Sequence, residues 1–493
     1  MYPARTSLIP VQVALARFLK NQGIRAFFSH YPYWYLGTTP FYYLGGPIIP
    51  GLMVFLDRLI PVWNLFDVFW TILIITYLLG GTGVYLMVKS LANFSTSEDG
   101  FANHPRFPLS SLSSTFYLFG PLIAFLFPYS NGISLIAFSF IPLVLCFYLK
   151  FLQNPTKKNK ILVILLISFV LLIDTNILPT LILGMIAILL SVAKKWKGIE
   201  KRIKEFILIT LYSLLITSVW YTPIYWIRLL FAPSFAGKPL ISVIGQITQL
   251  LPLSLAITLA VVAGRGVLKK LTLNTKYSVL NSFTFYWLFI FGFLTLMRFI
   301  ADPDFFIDWT AYGAELQLGL AMLIALLLRK NYRPSITQLL NYSITFIYLL
   351  LFLFIFKSRV LKPLQSSLED SYEYQICQVV NELVGEDETV FLSGSPVFWL
   401  NAWFDVQQMR GGADRGSVEP HWREAAWEIR EGEGPEKTKD WLEKIEINWL
   451  VVHSESSAEI YHDFQHPAKF EEIESLEKIN DFQGDAIYRV NFN

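Results

Sequence analysis

In an apolar chain, chemistry falls to the few ionisable side chains kept away from water, so the carboxylates come first. Eleven Asp and Glu precede residue 365. Glu98, Asp99, Glu200 and Glu205 fall in loops expected to be cytoplasmic, whereas Asp57, Asp67, Asp174, Asp302, Asp304, Asp308 and Glu315 fall on or near the expected outer face. Ionisable groups at membrane depth are costly and mark function by default. Asp174, Asp304 and Asp308 are the candidates for a catalytic carboxylate. Asp302 and Asp304, spaced Asp-x-Asp around Pro303, carry the oxygen donors of a divalent-cation site, the one cofactor the residues suggest; a solvated turn is the bland alternative. Asp174 can also cap the helix beginning near Ile177. Arg228 and Arg298 can grip a phosphate bidentately, or simply snorkel to the interface. His30, Trp34 and Tyr35 begin the aromatic segment HYPYWYLGTTPFYYLGGP (30–47), which suits substrate binding by sugar stacking and equally an interfacial belt. No Walker loop, dinucleotide fingerprint, zinc HExxH or nucleophile elbow occurs.

The elements that must position these residues follow from composition. The chain has 493 residues, 54% hydrophobic and 16% charged, against about 25% charged in a soluble domain. Residues 1–364 carry +19 and residues 365–493 carry −17, so the neutral total of +2 hides a basic apolar body and an acidic water-soluble tail. That division excludes a single soluble enzyme and a nucleic-acid binder that relies on a basic surface. Cys146 and Cys377 lie in these different regions and provide neither a disulfide framework nor a thiolate metal site.

Runs of about 20 apolar residues cross a bilayer as helices. Ten are expected, near 67–88, 109–127, 131–152, 161–174, 177–193, 206–228, 241–263, 278–299, 312–328 and 341–357. The fourth and fifth come from one 33-residue stretch interrupted by Asp174, Thr175 and Asn176. The lysines at 150–160, 194–204, 265–276 and 329–333 all fall in loops of one parity, which the positive-inside rule makes cytoplasmic. The alternate loops, the N-terminus and the tail then face outward. An external N-terminus with no signal sequence leads to the expectation that a preceding span is missing from this sequence.

Three regions result: an outer-face segment (1–66), a transmembrane helical domain (67–357) and an extracytoplasmic acidic α/β domain (365–493). Within the first, Leu8–Leu19 and Ile48–Leu59 have the apolar spacing of amphipathic helices lying along the interface. In the tail, SYEYQICQVVNELV and TKDWLEKI read as helices, and TVFLSG, NWLVVHS and DAIYRVNF as strands, which favours a small, mainly parallel sheet.

The layout, with the stretches YPYWYLGTTPFYYLGGP, VFLSGSPVFWLNAWFDVQQMRGGADRGSVEPHW, DWLEKIEINWLVVHSESSAEIYHDF and GDAIYRV, resembles the C-type (GT-C) glycosyltransferase superfamily. More narrowly, it resembles the multipass membrane proteins labelled as related to 6-pyruvoyl-tetrahydropterin synthase; the pterin enzyme's zinc-binding histidines have no counterpart here. The resemblance implies a polytopic transmembrane helical bundle in the cytoplasmic membrane. It also implies transfer of a sugar from a polyprenyl-phosphate donor to a glycan or protein acceptor on the outer face. Members are expected to place an acidic base in the first outer loop, but no Asp or Glu occurs here before Asp57. A degenerate, non-catalytic envelope-assembly scaffold and a transporter or lipid flippase are the alternatives, the latter supported by the broken stretch around Asp174 and Pro179.

Overall fold

The computed structural model describes residues 9–43, 45–96, 109–126, 132–192, 199–231, 278–301, 309–330, 336–358, 367–412 and 416–492. The chain opens with α1 (Ile9–Gln22), a 3-10 turn (Gly23–Phe27) and α2 (Ile48–Leu59). Helices then dominate: α3 (Leu65–Thr96), α4 (Leu109–Leu118), α5 (Pro121–Leu126), α6 (Gly132–Gln153), α7 (Lys157–Ile173) and α8 (Leu178–Val192). After them come α9 (Ile199–Thr217), α10 (Pro223–Phe231), α11 (Ser278–Ala301), α12 (Trp309–Lys330) and α13 (Ile336–Phe356). The tail alternates α14 (Tyr372–Leu383), β1 (Thr389–Phe391), α15 (Pro396–Trp403), β2 (Gln407–Gln408), α16 (Trp422–Glu431), α17 (Pro435–Lys444) and β3 (Trp449–His453). It ends with β4 (Leu476–Phe482) and β5 (Asp485–Val490).

These elements form two compact units, Met1–Phe69 with Pro363–Asn493, and Trp70–Lys362. Four described stretches of helix are long and apolar enough to cross a membrane: Leu65–Phe94, Ser134–Gln153, Thr175–Val192 and Ser278–Leu296. The expected runs 161–174, 312–328 and 341–357 fall on the helices α7, α12 and α13, but they are not among the four, so ten spans are not established; two runs differ further. The run 109–127 breaks between α4 and α5 at Phe119–Gly120, where a Cβ on Gly120 would overlap the Gln317 amide. The run 206–228 is divided between α9 and α10, and 241–263 lies outside the described residues.

In the terminal unit the sheet order is β2-β1-β3-β5-β4. Strands β2, β1 and β3 pair in parallel, but β5 runs antiparallel to both β3 and β4, so the sheet is mixed rather than mainly parallel. A two-residue turn causes this. Gln483 (φ 51°) and Gly484 (φ 88°) both adopt the left-handed conformation that closes a tight hairpin.

The N-terminal segment is built into the same unit. Helix α1 buries Val11, Leu15, Phe18 and Leu19 as it packs on α2 and α15, with Lys20 and Asp57 paired at 2.9 Å. Helix α2 retains an exposed apolar face at Leu52, Phe55 and Leu59. The aromatic segment bonds to the tail through backbone: Gln408 N donates to the Tyr33 carbonyl at 3.2 Å, and Tyr35 N to that of Arg410 at 3.4 Å. Trp34 is fully buried, edge-on to Tyr31 at 4.8 Å, with Gly411 and Gly412 beneath its ring. Both glycines have positive φ, and a Cβ on Gly412 would come within 2.6 Å of Trp34 Cε3. Trp34→Ala should therefore lower stability by about 3–5 kcal/mol, and Gly412→Ala by roughly 1–3 kcal/mol through clash and backbone strain together. In a thermal-unfolding double-mutant cycle, Gly412→Ala should cost less once Trp34 is truncated; strict additivity would refute the seat.

Candidate functional site

Asp174 occupies the break between two helices of the central unit. Helix α7 starts under a cap from Thr156, whose hydroxyl accepts from Asn159 N at 3.2 Å, and it ends at Ile173. Asp174 is extended (φ −152°, ψ 121°), and its carboxylate caps the short 3-10 turn Thr175–Ile177 by accepting from Asn176 N at 3.0 Å. Its other oxygen accepts from Ser134 Oγ of α6 at 2.6 Å. Capping and an inter-helix bond thus coexist on one buried carboxylate.

Hydroxyl groups surround the break. The Thr175 hydroxyl bonds to Tyr225 OH on α10, and Tyr221 OH donates to the Leu171 carbonyl at 2.8 Å. Arg228 lies half-buried on α10, three residues beyond Tyr225 and hence near its face of the helix. A buried carboxylate that accepts from a serine hydroxyl and a backbone amide, at a helix break lined by phenols, has the parts of a base, and Arg228 on the same helix as Tyr225 has the chemistry of an anion clamp.

The other sequence candidates are distributed differently. Asp302, Asp304 and Asp308 lie outside the described residues, as does the side chain of Arg298, whose backbone belongs to α11. Among the described residues no group of three His, Cys, Asp or Glu side chains is arranged to hold a metal. In the terminal unit His30 is exposed beside Gly37, while Trp34 and Tyr35 are buried, Tyr35 edge-on to Trp422 at 5.0 Å. Sequence reasoning placed Glu315 on the outer side without giving it a role; it sits on α12, 3% exposed.

The tail's sheet has a crevice where the parallel strands β1 and β3 end, the position at which open α/β sheets commonly bind ligands. Here the chain fills it. Ser395 donates through N (3.2 Å) and Oγ (2.6 Å) to Glu459, while Ser393 Oγ and Gly394 N donate to Asp463, which also pairs with Arg430 at 3.4 Å. Beneath them His453 Nδ1 faces Asp485 Oδ1 at 2.9 Å and Nε2 faces the Ser393 carbonyl at 3.0 Å, with Tyr372 OH donating to Asp485.

Both His453 partners are acceptors, so the geometry calls for a doubly protonated ring. Burial pulls its pKa down, but the hydrogen bond and charge of Asp485 outweigh burial and the net shift is upward. A proton held more tightly in the folded state stabilises it fully below the ordinary histidine value of about 6.5, and this contribution disappears as pH rises through the raised value. The unfolding midpoint of the terminal unit should therefore fall on going upward from about pH 6.5. His453→Gln should abolish that fall, and an unaltered profile in the variant would count against the imidazolium.

No protein-family model and no curated protein matches the chain. Among solved structures it is similar to arabinofuranosyltransferase AftD from Mycobacteria, with a TM-score of 0.51 at 10% identity, over 98% of this chain and 41% of that one. The chain thus spans about two fifths of that enzyme's length. At such low identity the likeness shows the fold alone: the helical architecture with its small sheet is similar to that enzyme's, and nothing in the comparison speaks for the narrower pterin-synthase-labelled family.

Proposed function

We propose that the chain is a membrane glycosyltransferase of GT-C-like architecture that moves a sugar from a polyprenyl-phosphate donor to a glycan or protein acceptor at the outer face of the cytoplasmic membrane. The observation that carries this reading is fold similarity to an arabinofuranosyltransferase across nearly the whole chain. In the reaction, the acceptor oxygen bonds to the anomeric carbon as the bond from that carbon to the phosphate oxygen breaks. Asp174, oriented by Ser134, takes the acceptor proton, while Arg228 and Arg298 steady the departing lipid phosphate. Asp302, Asp304 and Asp308 complete the outer acidic set, with Asp302 and Asp304 as the place for a divalent cation.

The N-terminal segment and the tail form one compact unit, so the reading places both on the same side of the bilayer. The lysine-rich loops assign that side as the outer one. The helix breaks at Gly120 and Asp174 favour a second reading, a transporter, because discontinuous helices often build transport sites.

Sugar transfer from polyprenyl-phosphate donors, measured in membranes containing the full chain, separates the two. Asp174→Asn should reduce kcat by about 10²-fold or more, and Ser134→Ala by less. Transfer undiminished in Asp174→Asn would remove that residue as the base. Absence of transfer together with donor-dependent lipid movement would establish transport instead.

A further inference from the structure

Four acidic residues are described within Trp70–Lys362: Asp174, Glu200, Glu205 and Glu315. Asp174 is bonded to Ser134, Glu200 is exposed, and Glu205 pairs with Lys160 at 2.8 Å. Glu315 is 3% exposed, and among the described residues its carboxyl has neither a hydrogen bond nor an ion pair. Leaving a carboxylate buried and unpaired costs several kcal/mol, so its retention in an apolar helix points to a partner that the described residues do not supply.

The surroundings indicate what kind. Glu315 lies in the early turns of α12, which packs against α4, α5, α6 and α11. Trp287 Nε1 of α11 donates to the Glu315 backbone carbonyl at 2.7 Å. The neighbouring α4 ends at Leu118, and the chain's own donors serve its final carbonyls. Phe116 O accepts from Gln317 Nε2 (2.9 Å) and Tyr348 OH (2.8 Å), while Tyr77 OH meets Tyr117 O (3.0 Å) and Leu118 O (2.8 Å). Among the described residues the groups left over are the carboxyl of Glu315 and, elsewhere on the same two turns of α12, the buried Oε1 of Gln317. Such acceptors suit a ligand that donates hydrogen bonds.

We propose that Glu315 is a substrate-contacting residue whose carboxylate accepts hydrogen bonds from hydroxyl groups of the transferred sugar. This rests on the glycosyltransferase reading, which supplies a hydroxyl-rich ligand. The residue serves binding and positioning rather than proton transfer, which the reading gives to Asp174.

Two measurements on the full chain in lipid nanodiscs test it. In transfer assays, Glu315→Gln should raise KM for the lipid-linked sugar about 10-fold, as expected for one lost charge-assisted bond, with kcat nearly unchanged and the ligand-free thermal midpoint raised, because the uncompensated buried charge is gone. A structural role would lower the midpoint and leave KM alone, overturning the proposal. Independently, dicyclohexylcarbodiimide coupling to Glu315 of the unaltered chain is followed by peptide mass spectrometry. Farnesyl-phosphate-linked arabinofuranose should slow the coupling, and replacing choline with sodium should not. Protection by sodium alone would identify a cation site. Coupling indifferent to both would identify a carboxyl that merely retains its proton, and either result overturns the proposal. If the unaltered chain transfers no sugar, the enzymatic reading fails, and the carbodiimide result still decides whether a sugar occupies the site.

Discussion

A polar group in apolar surroundings must find its partner within the chain, and this constraint shapes the helical unit. Helix α4 ends where water is scarce, so its last three carbonyls would be orphaned by an ordinary helix end. Tyr77 of α3, Gln317 of α12 and Tyr348 of α13 serve them instead. Three helices are thereby fixed to one chain break. The amide of Gln317 reaches the carbonyl only because residue 120 is glycine. At the second break, Asp174 satisfies a backbone amide and ties α7 to α6 in a single side chain.

The same rule governs the terminal unit, with a different outcome. Its sheet places a serine-glycine-serine turn at the strand ends, where N–H and hydroxyl donors converge. The segment that follows β3 returns with Glu459 and Asp463 and satisfies those donors from within. The crevice is consequently a packed, charged core in which His453, Asp485 and Tyr372 form the floor. In the helical unit, by contrast, an acceptor on Gln317 stays unmatched among the described residues.

What could be read from the sequence follows the range of the interactions. The helix and strand patterns around 371–384, 389–394, 438–445, 448–454 and 485–492 are local and coincide with α14, β1, α17, β3 and β5. The role of Asp174 as a cap is equally local, since its partner is two residues away. By contrast, the break at Gly120 depends on Gln317, almost 200 residues on, and an apolar run with one glycine gives no sign of it. Strand β2 is two residues long, and periodicity cannot register so short an element. The antiparallel return of β5 rests on the left-handed pair Gln483–Gly484, a turn signal overlooked beside the stronger strand pattern.

The aromatic segment shows why residue type alone misleads. Tyr31, Trp34 and Tyr35 have the composition of a belt or a sugar platform, and composition says nothing about which faces stay open. Trp34 spends its ring on Gly411 and Gly412, and Tyr35 spends its own on Trp422. An indole buried on two glycines contributes through area removed from water, whereas a stacking platform must leave a face accessible. In this chain the rings join the segment before the first long helix to the domain after the last one.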